Sequence, residues 1–238
     1  MILPFELVDE ILTHLQHDKR ALANCSLVAK SWTYPSQRLL FAFINLIPEN
    51  HKAWQKNGPQ NAEMMQYVRT LTCSGSRSFR VLHDDHSRSF YRLQYLALQA
   101  ITPIESNALN LFLAFRDTLS SLSLEYVSLT WSTFVGLINY FPNLRELLFH
   151  DSSLETDHSP IPPLSRPLRG TLCLSTLSAS HFSTLSRGIA GLEPEYDRLE
   201  IIHDPYQPFY DVQHIISACE KTLTYLMLGL WADHRKQY

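Results

Sequence analysis

Leu93-Gln94-Tyr95-Leu96-Ala97-Leu98, Leu119-Ser120-Ser121-Leu122-Ser123-Leu124 and Leu144-Arg145-Glu146-Leu147-Leu148-Phe149 are three copies of one pattern, apolar-x-x-Leu-x-apolar. The pattern extends in both directions. Upstream it is Val68-x-x-Leu71-x-Cys73; downstream it is Leu168-x-x-x-Leu172-x-Leu174, one residue looser, then Tyr196-x-x-Leu199-x-Ile201 and Leu223-x-x-Leu226-x-Leu228. The central leucines are separated by 25, 26, 25, 25, 27 and 27 residues. Seven occurrences at so constant a spacing mark a structural repeat, in which each unit needs its neighbours to bury its apolar side. Within a copy, strict alternation predicts a short strand with its leucines pointing one way. Between copies the spacing turns helical: Leu109, Phe112 and Leu113; Phe134, Ile138 and Phe141; Val212, Ile215, Ile216 and Cys219. The expected architecture is therefore α/β, with a short-stranded parallel sheet on one side and helices on the other.

The composition agrees. Leucine supplies 38 of 238 residues, and hydrophobic residues make up 45%, enough for a sizeable core. The seven glycines form neither G-x-G-x-x-G nor G-x-x-x-x-G-K, so the nucleotide-binding classes are not supported. Twenty basic and 23 acidic residues give a formal charge of −3, and the densest cationic stretch, Arg77, Arg80, Arg88 and Arg92, is broken by Asp84 and Asp85. Without a concentrated basic face, nucleic acid is not an expected partner. Cys25, Cys73, Cys173 and Cys219 lie far apart with no C-x-x-C, which suits free thiols in a reducing compartment. The start is apolar but meets Glu6, Asp9 and Glu10 at once, so no signal peptide is expected. The longest uncharged run, Tyr126 to Leu144, is too polar for a membrane span. A soluble protein of the cytoplasm, the nucleus or both is expected, with no membrane partner.

The first 46 residues differ from the rest. Leu7, Ile11 and Leu15, with Val8 and Leu12, make one broad apolar helix face. Pro4 fits the first helical turn. Asp18 reads as the N-cap of a second helix carrying Leu22 and Cys25. A third segment, Val28 to Leu46, carries Trp32, Leu39, Leu40, Phe41 and Ile44, and Pro35 is expected to end or kink it. So small a unit cannot hide every apolar face it presents, and the surplus either packs on the rest of the chain or docks a partner.

Leu3-Pro4-x-Glu6-Leu7-x-x-x-Ile11-Leu12-x-x-Leu15, followed by Leu22, Cys25-Ser26-Leu27-Val28, Ser31-Trp32 and Leu40-Phe41, resembles an F-box of the form common in fungal F-box proteins. The resemblance implies a three-helix F-box over 1–46 that docks the Skp adaptor of a cullin–RING ubiquitin ligase. By the family's pattern Leu3, Pro4, Leu7, Ile11, Leu27, Val28 and Trp32 belong to the docking surface or to the packing beneath it. Residues 47–238 resemble a leucine-rich-repeat solenoid of about seven irregular repeats, with the sheet on its concave face and helices on its convex face. The departure is the absence of a regular asparagine after the strands. The last unit, ending at Trp231 to Tyr238, shows no recognisable cap. The implied role is that of a substrate-recognition subunit, with an unidentified target protein held by the repeats and no cofactor. An interaction scaffold that drives no ubiquitination reads equally from the same residues.

In such a sheet the residues that alternate with the leucines face outward as a binding surface. Tyr95, Arg198 and Tyr225 are the expected target contacts, because aromatic and arginine anchors carry disproportionate binding energy; Glu146 and His150 are weaker candidates. Catalytic patterns are thin. There is no G-x-S-x-G. His83-Asp84-Asp85-His86 has metal-ligand residue types but not the i, i+4 spacing of a helical site, and a solvated loop is the plainer reading. The chain is therefore read as no enzyme, with no metal site. Two stretches break the rhythm and are expected as loops: Ser74 to Ser89, and the proline-rich Asp151 to Arg169.

Overall fold

The computed structural model describes residues 3–57, 62–79, 90–101, 112–155, 163–175, 179–203 and 210–230. Every copy of the repeated pattern forms a strand: β2 (Thr70–Ser74), β3 (Tyr95–Gln99), β4 (Ser121–Glu125), β6 (Glu146–His150), β8 (Arg169–Ser175), β9 (Glu195–His203) and β10 (Tyr225–Leu230). An eighth strand, β1 (Phe43–Leu46), precedes them. All eight pair in parallel, in sequence order β1-β2-β3-β4-β6-β8-β9-β10. Two further short strands, β5 (Ser128–Thr130) and β7 (Ser153–Glu155), pair with each other. The protein is thus a mixed α/β structure built on a parallel sheet.

Register turns the repeat into two ladders. Ile44, Leu71, Leu96, Leu122, Leu147, Leu172, Leu199 and Leu226 stand in one row; Leu46, Cys73, Leu98, Leu124, Phe149, Leu174, Ile201 and Leu228 stand in the next. The first seven members of each row are buried. Their cover comes from the helices between strands. Phe134, Leu137 and Ile138 of α7 (Trp131–Tyr140), Phe182, Leu185 and Ile189 of α8 (Ala179–Ala190), and Val212 and Ile215 of α9 (Tyr210–Ala218) share one core with the strand leucines. In a sheet of constant register each row continues the apolar side of its neighbour, which is why leucine recurs at one spacing. In the last strand of the sheet, among the described residues, Leu226 and Leu228 are 41% and 42% exposed.

The backbone repeats as well. Gly75, Ala100, Tyr126 and Asp151 each directly follow a strand and each have positive φ, between 44° and 76°. Three of them extend the ladder: Ala100 N–H donates to Glu125 O, Tyr126 N–H to His150 O and Asp151 N–H to Ser175 O. Only one of the four is glycine. The turn is imposed by the sheet, not by the residue, so the sequence does not announce it.

The N-terminal segment forms α1 (Phe5–His14), α2 (Lys19–Val28) and α3 (Lys30–Leu40) around a separate small core of Val8, Leu12 and Leu22. Asp18 caps α2 as expected, accepting from Ala21 N–H at 2.9 Å. Three expectations are corrected. The third helix stops at Leu40 and its expected continuation to Leu46 is β1, because Ile44 and Leu46 fit the period-2 rows of the sheet. Pro35 lies buried inside α3 without ending it. Pro4 is the N-cap of α1 and not its first helical residue. Arg38 and Asp9 pair across α3 and α1 at 2.5 Å. Tyr34 of α3 meets Tyr67 edge-on at 5.4 Å, joining the helices to the turn before β2.

Shorter helices, α4 (His51–Asn57), α5 (Ala62–Met65) and α6 (Gly75–Phe79), lie between β1 and β3. The stretch from Ser74 is therefore not all loop, since α6 falls within it. Asp151 to Arg169 also contains more than a loop: β7 pairs with β5, and Leu154 is buried beside Leu129 in the common core. Ahead of β4, Phe112 to Phe115 make a single 3-10 turn; Leu109 lies outside the described residues.

Candidate functional site

Two surfaces carry the residues picked out above. The first is on the N-terminal helices. The apolar face of α1 is split. Val8 and Leu12 turn inward, while Leu7 and Ile11 stay exposed, with Leu3 and Phe5 beside them in sequence. At the end of α2, Leu27 and Val28 are 85% and 68% exposed. Pro4 is exposed too. Trp32 is half-buried against the Val8–Leu12–Leu22 core, so it belongs to the packing and not to the surface. Phe5, 54% exposed, was not among the expected residues. Its only sequence signal is its place between Pro4 and Glu6, off the four-residue apolar spacing. The exposed apolar side chains thus fall on α1, just ahead of it and at the end of α2, away from the small core.

The second surface is the face of the parallel sheet opposite the leucine rows. Register lines up Phe43, Thr70, Tyr95, Ser121, Glu146, Thr171, Arg198 and Tyr225 across it. All five expected target contacts belong to this face, His150 at its exit edge. The small residues Ala97, Ser121 and Ser123 are closed over by longer neighbours and are not available for contact.

Hydrogen bonds run across the strands. Ser74 Oγ donates to Gln99 Oε1 at 2.7 Å, Gln99 Nε2 to Glu125 Oε2 at 2.7 Å, and Ser123 Oγ to Glu125 Oε1 at 3.1 Å. Ser121 Oγ donates to Glu146 Oε2 at 2.5 Å. Burial pushes the Tyr95 hydroxyl up in pKa, with Glu125 and Glu146 adding to it and a hydrogen bond with Ser123 opposing it. His150 Nδ1 lies 2.7 Å from Ser175 Oγ, while its Nε2 lies 3.3 Å from Tyr126 OH and 3.7 Å from Asp151 Oδ2. These partners orient the ring at the exit edge of the sheet.

Arg198 is held on its own strand and the next. Its Nε and Nη2 lie 2.7 Å and 2.6 Å from Glu200 Oε1, and its guanidinium stacks 4.3 Å from the centre of the Tyr225 ring. The pair of expected anchors is thus one unit: Tyr225 and Arg198 form a flat, pre-ordered plate, already neutralised by Glu200. With Glu125 and Glu146 also present, the face has, among the described residues, no uncompensated arginine or lysine for an acidic motif.

Cys173 sits among these carboxylates, and its thiol is pushed up to about 11, first by burial and then by Glu200 and Glu146. The neutral thiol is favoured, so Cys173 is no nucleophile at neutral pH. Its alkylation rate in the folded protein is expected to rise about tenfold per pH unit from pH 7 to pH 10 with no plateau, since thiolate grows log-linearly below the pKa. Mass spectrometry of iodoacetamide-labelled peptides reads this directly. A plateau by pH 10 would place the thiolate at an ordinary pKa and remove the shift imposed by burial and the carboxylates. Cys73, fully buried, is pushed up to about 12.

No group of three or more His, Cys, Asp or Glu that could hold a metal occurs among the described residues; His83 to His86 lie outside them. Among the described residues no helix is long and apolar enough to cross a membrane. A scan against known protein-family models gives no match, and a search of curated proteins finds none.

Proposed function

We propose that this chain is a substrate-recognition subunit of a Skp–cullin–F-box ubiquitin ligase. In this reading residues 1–46 are an F-box, and residues 47–238 are a leucine-rich-repeat-like solenoid that holds a target protein. β1 then makes the joint between them, since it follows α3 directly and pairs with β2. The single observation carrying the proposal is the exposed apolar group Leu7, Ile11, Leu27 and Val28, with Leu3 just ahead of α1, on helices whose own core is filled by other residues. Such a group is stable in water only at a cost, and a partner with an apolar groove relieves it.

The ligase role needs no chemistry from this chain. Docking both adaptor and target raises the effective concentration of a target lysine near the ubiquitin-loaded enzyme. The open Tyr95–Glu146–Arg198–Tyr225 face is the target surface in this reading, and the cytoplasm or nucleus its place of action.

Capture on immobilised Skp adaptor tests the docking half. Wild-type chain binds, and Leu7→Asp with Ile11→Asp weakens binding at least tenfold (~1.4 kcal/mol), because two anchors are replaced by charges needing water. Both side chains are exposed in the free chain, so its melting temperature stays near wild type. Failure of the wild type to bind, or equal binding by the variant, ends the reading. The scaffold alternative predicts adaptor binding with no ubiquitin transfer to any associated protein in a reconstituted ligase.

A further inference from the structure

We propose that the strand-entry rim of the sheet, formed by Arg69, Arg92, Arg116 and Arg145, docks a short acidic segment of a protein partner. The four arginines are separated by 23, 24 and 29 residues and make no basic run in the sequence. The fold collects them. Arg69 and Arg145 each directly precede a strand, and backbone bonds place both in one row: Gln94 N–H donates to Arg69 O, Ser120 N–H to Gln94 O, and Arg145 N–H to Ser120 O. Arg92 lies in the turn before β3, where Arg69 Nη1 donates to its carbonyl at 3.4 Å. Arg116 lies in the turn before β4, and its Nε donates to Tyr140 O at 3.3 Å. Asn143 Nδ2 reaches Asp117 O at 2.6 Å, bringing the Arg116 turn to the turn that leads into Arg145.

All four are exposed. Among the described residues no carboxylate pairs with Arg69, Arg92 or Arg145, and Arg116 has only Asp117 at 4.0 Å. The chain as a whole carries a formal charge of −3, so this rim is a local reversal of sign. Two tyrosines complete it: Arg92 lies 5.6 Å from the centre of the Tyr91 ring, and Arg116 lies 5.6 Å from that of Tyr140. Arginine and tyrosine are the residues that concentrate binding energy at protein interfaces. Guanidinium forks take carboxylates bidentately.

Size limits the occupant. Arg69 to Arg145 spans three strand spacings, roughly 14 Å, which an extended peptide covers in about four to five residues. Beyond β8 the same edge is net acidic, with Glu193, Asp197 and Glu220 exposed against one exposed lysine, Lys221, and with Glu195 taken by Arg169. A nucleic acid, whose charge continues past 14 Å, meets repulsion there; a short acidic segment ends before it. The geometry therefore favours protein over nucleic acid.

The proposal stands apart from the adaptor reading, because adaptor capture by α1 and α2 and peptide binding at the rim fail separately. The test is fluorescence anisotropy with the full chain and a labelled octapeptide of alternating glutamate and serine, beside its lysine–serine counterpart and an oligothymidylate. The glutamate peptide is expected to bind saturably, more weakly as salt rises, and the lysine peptide not at all. Arg92→Glu with Arg145→Glu is expected to weaken the glutamate peptide at least tenfold while the thermal melt is retained. If that pair disturbs the melt, Arg92→Gln with Arg145→Gln reads the same loss. No binding by wild type, unchanged binding by a folded variant, or tighter binding of the oligothymidylate overturns the proposal.

Discussion

Gly170→Ala is expected to destabilise the protein by about 3–5 kcal/mol, although it adds one methyl group. Gly170 has φ of +91°, which side chains other than hydrogen rarely adopt. A Cβ placed there would lie 2.1 Å from Arg145 O, a backbone atom that no rotamer change can move. That carbonyl is the acceptor for Thr171 N–H at 2.8 Å, so displacing it opens the ladder between β6 and β8. The same site holds the one irregularity in the sheet's register, between Gly170 and Thr171, where Asp197 of β9 is passed over. For a chain of this length the loss corresponds to a fall in melting temperature on the order of 10 °C. Thermal and urea melts followed by circular dichroism measure it. Gly191→Ala is the control: its added Cβ meets only ordinary contacts at 3.4 and 3.5 Å, and its effect should stay below about 1 kcal/mol. A Gly170→Ala melt indistinguishable from wild type would show that the start of β8 is not built as described.

Phe141→Ala is the second large loss, at about 3–5 kcal/mol. Phe141 is completely buried just after α7. Its ring lies 5.7 Å from Phe112 and stacks on Phe115 at 6.3 Å, with Tyr140 edge-on at 5.4 Å. These rings close the space between two successive repeats, so truncation removes the contact between units and not only one side chain's burial. The surrounding strands are pinned by their register and cannot collapse into the cavity, which places the cost towards the upper end of the range. Phe141→Leu keeps most of the volume and should cost about half as much or less. Chemical denaturation gives both numbers. Equal stability of the Ala and Leu variants would mean that the site relaxes and that the rings do not hold the repeats together.

The proposed sites were legible to different degrees. Leu3, Leu7, Ile11, Leu27 and Val28 could be named from the sequence because their order and spacing resemble an F-box. Which of them are free could not, because Val8 and Leu12 share the same helical periodicity and only the packing of α2 and α3 chooses between the two sets. Tyr95, Glu146, Arg198 and Tyr225 could be placed on one face from alternation alone. That Arg198 stacks on Tyr225 could not, since strand pairing at register positions 198 and 225 is what brings those two groups together. The arginine rim was invisible for the same reason: residues 23 to 29 apart become neighbours only when the units stack.

What the sequence determined by itself is the repeat. A 25- to 27-residue period with leucine at alternate positions specifies parallel strands and a common buried side, because alternation and period are properties of the backbone that any observer can count. Only the tertiary structure decided where that repeat begins, at Phe43–Leu46 inside the stretch read as helix, and which residues adopt the left-handed turn after β2, β3, β4 and β6. It also decided which charges meet across neighbouring units. The reason is physical: burial periodicity is written locally along the chain, whereas covering, strain and charge pairing depend on which side chain the next unit brings alongside.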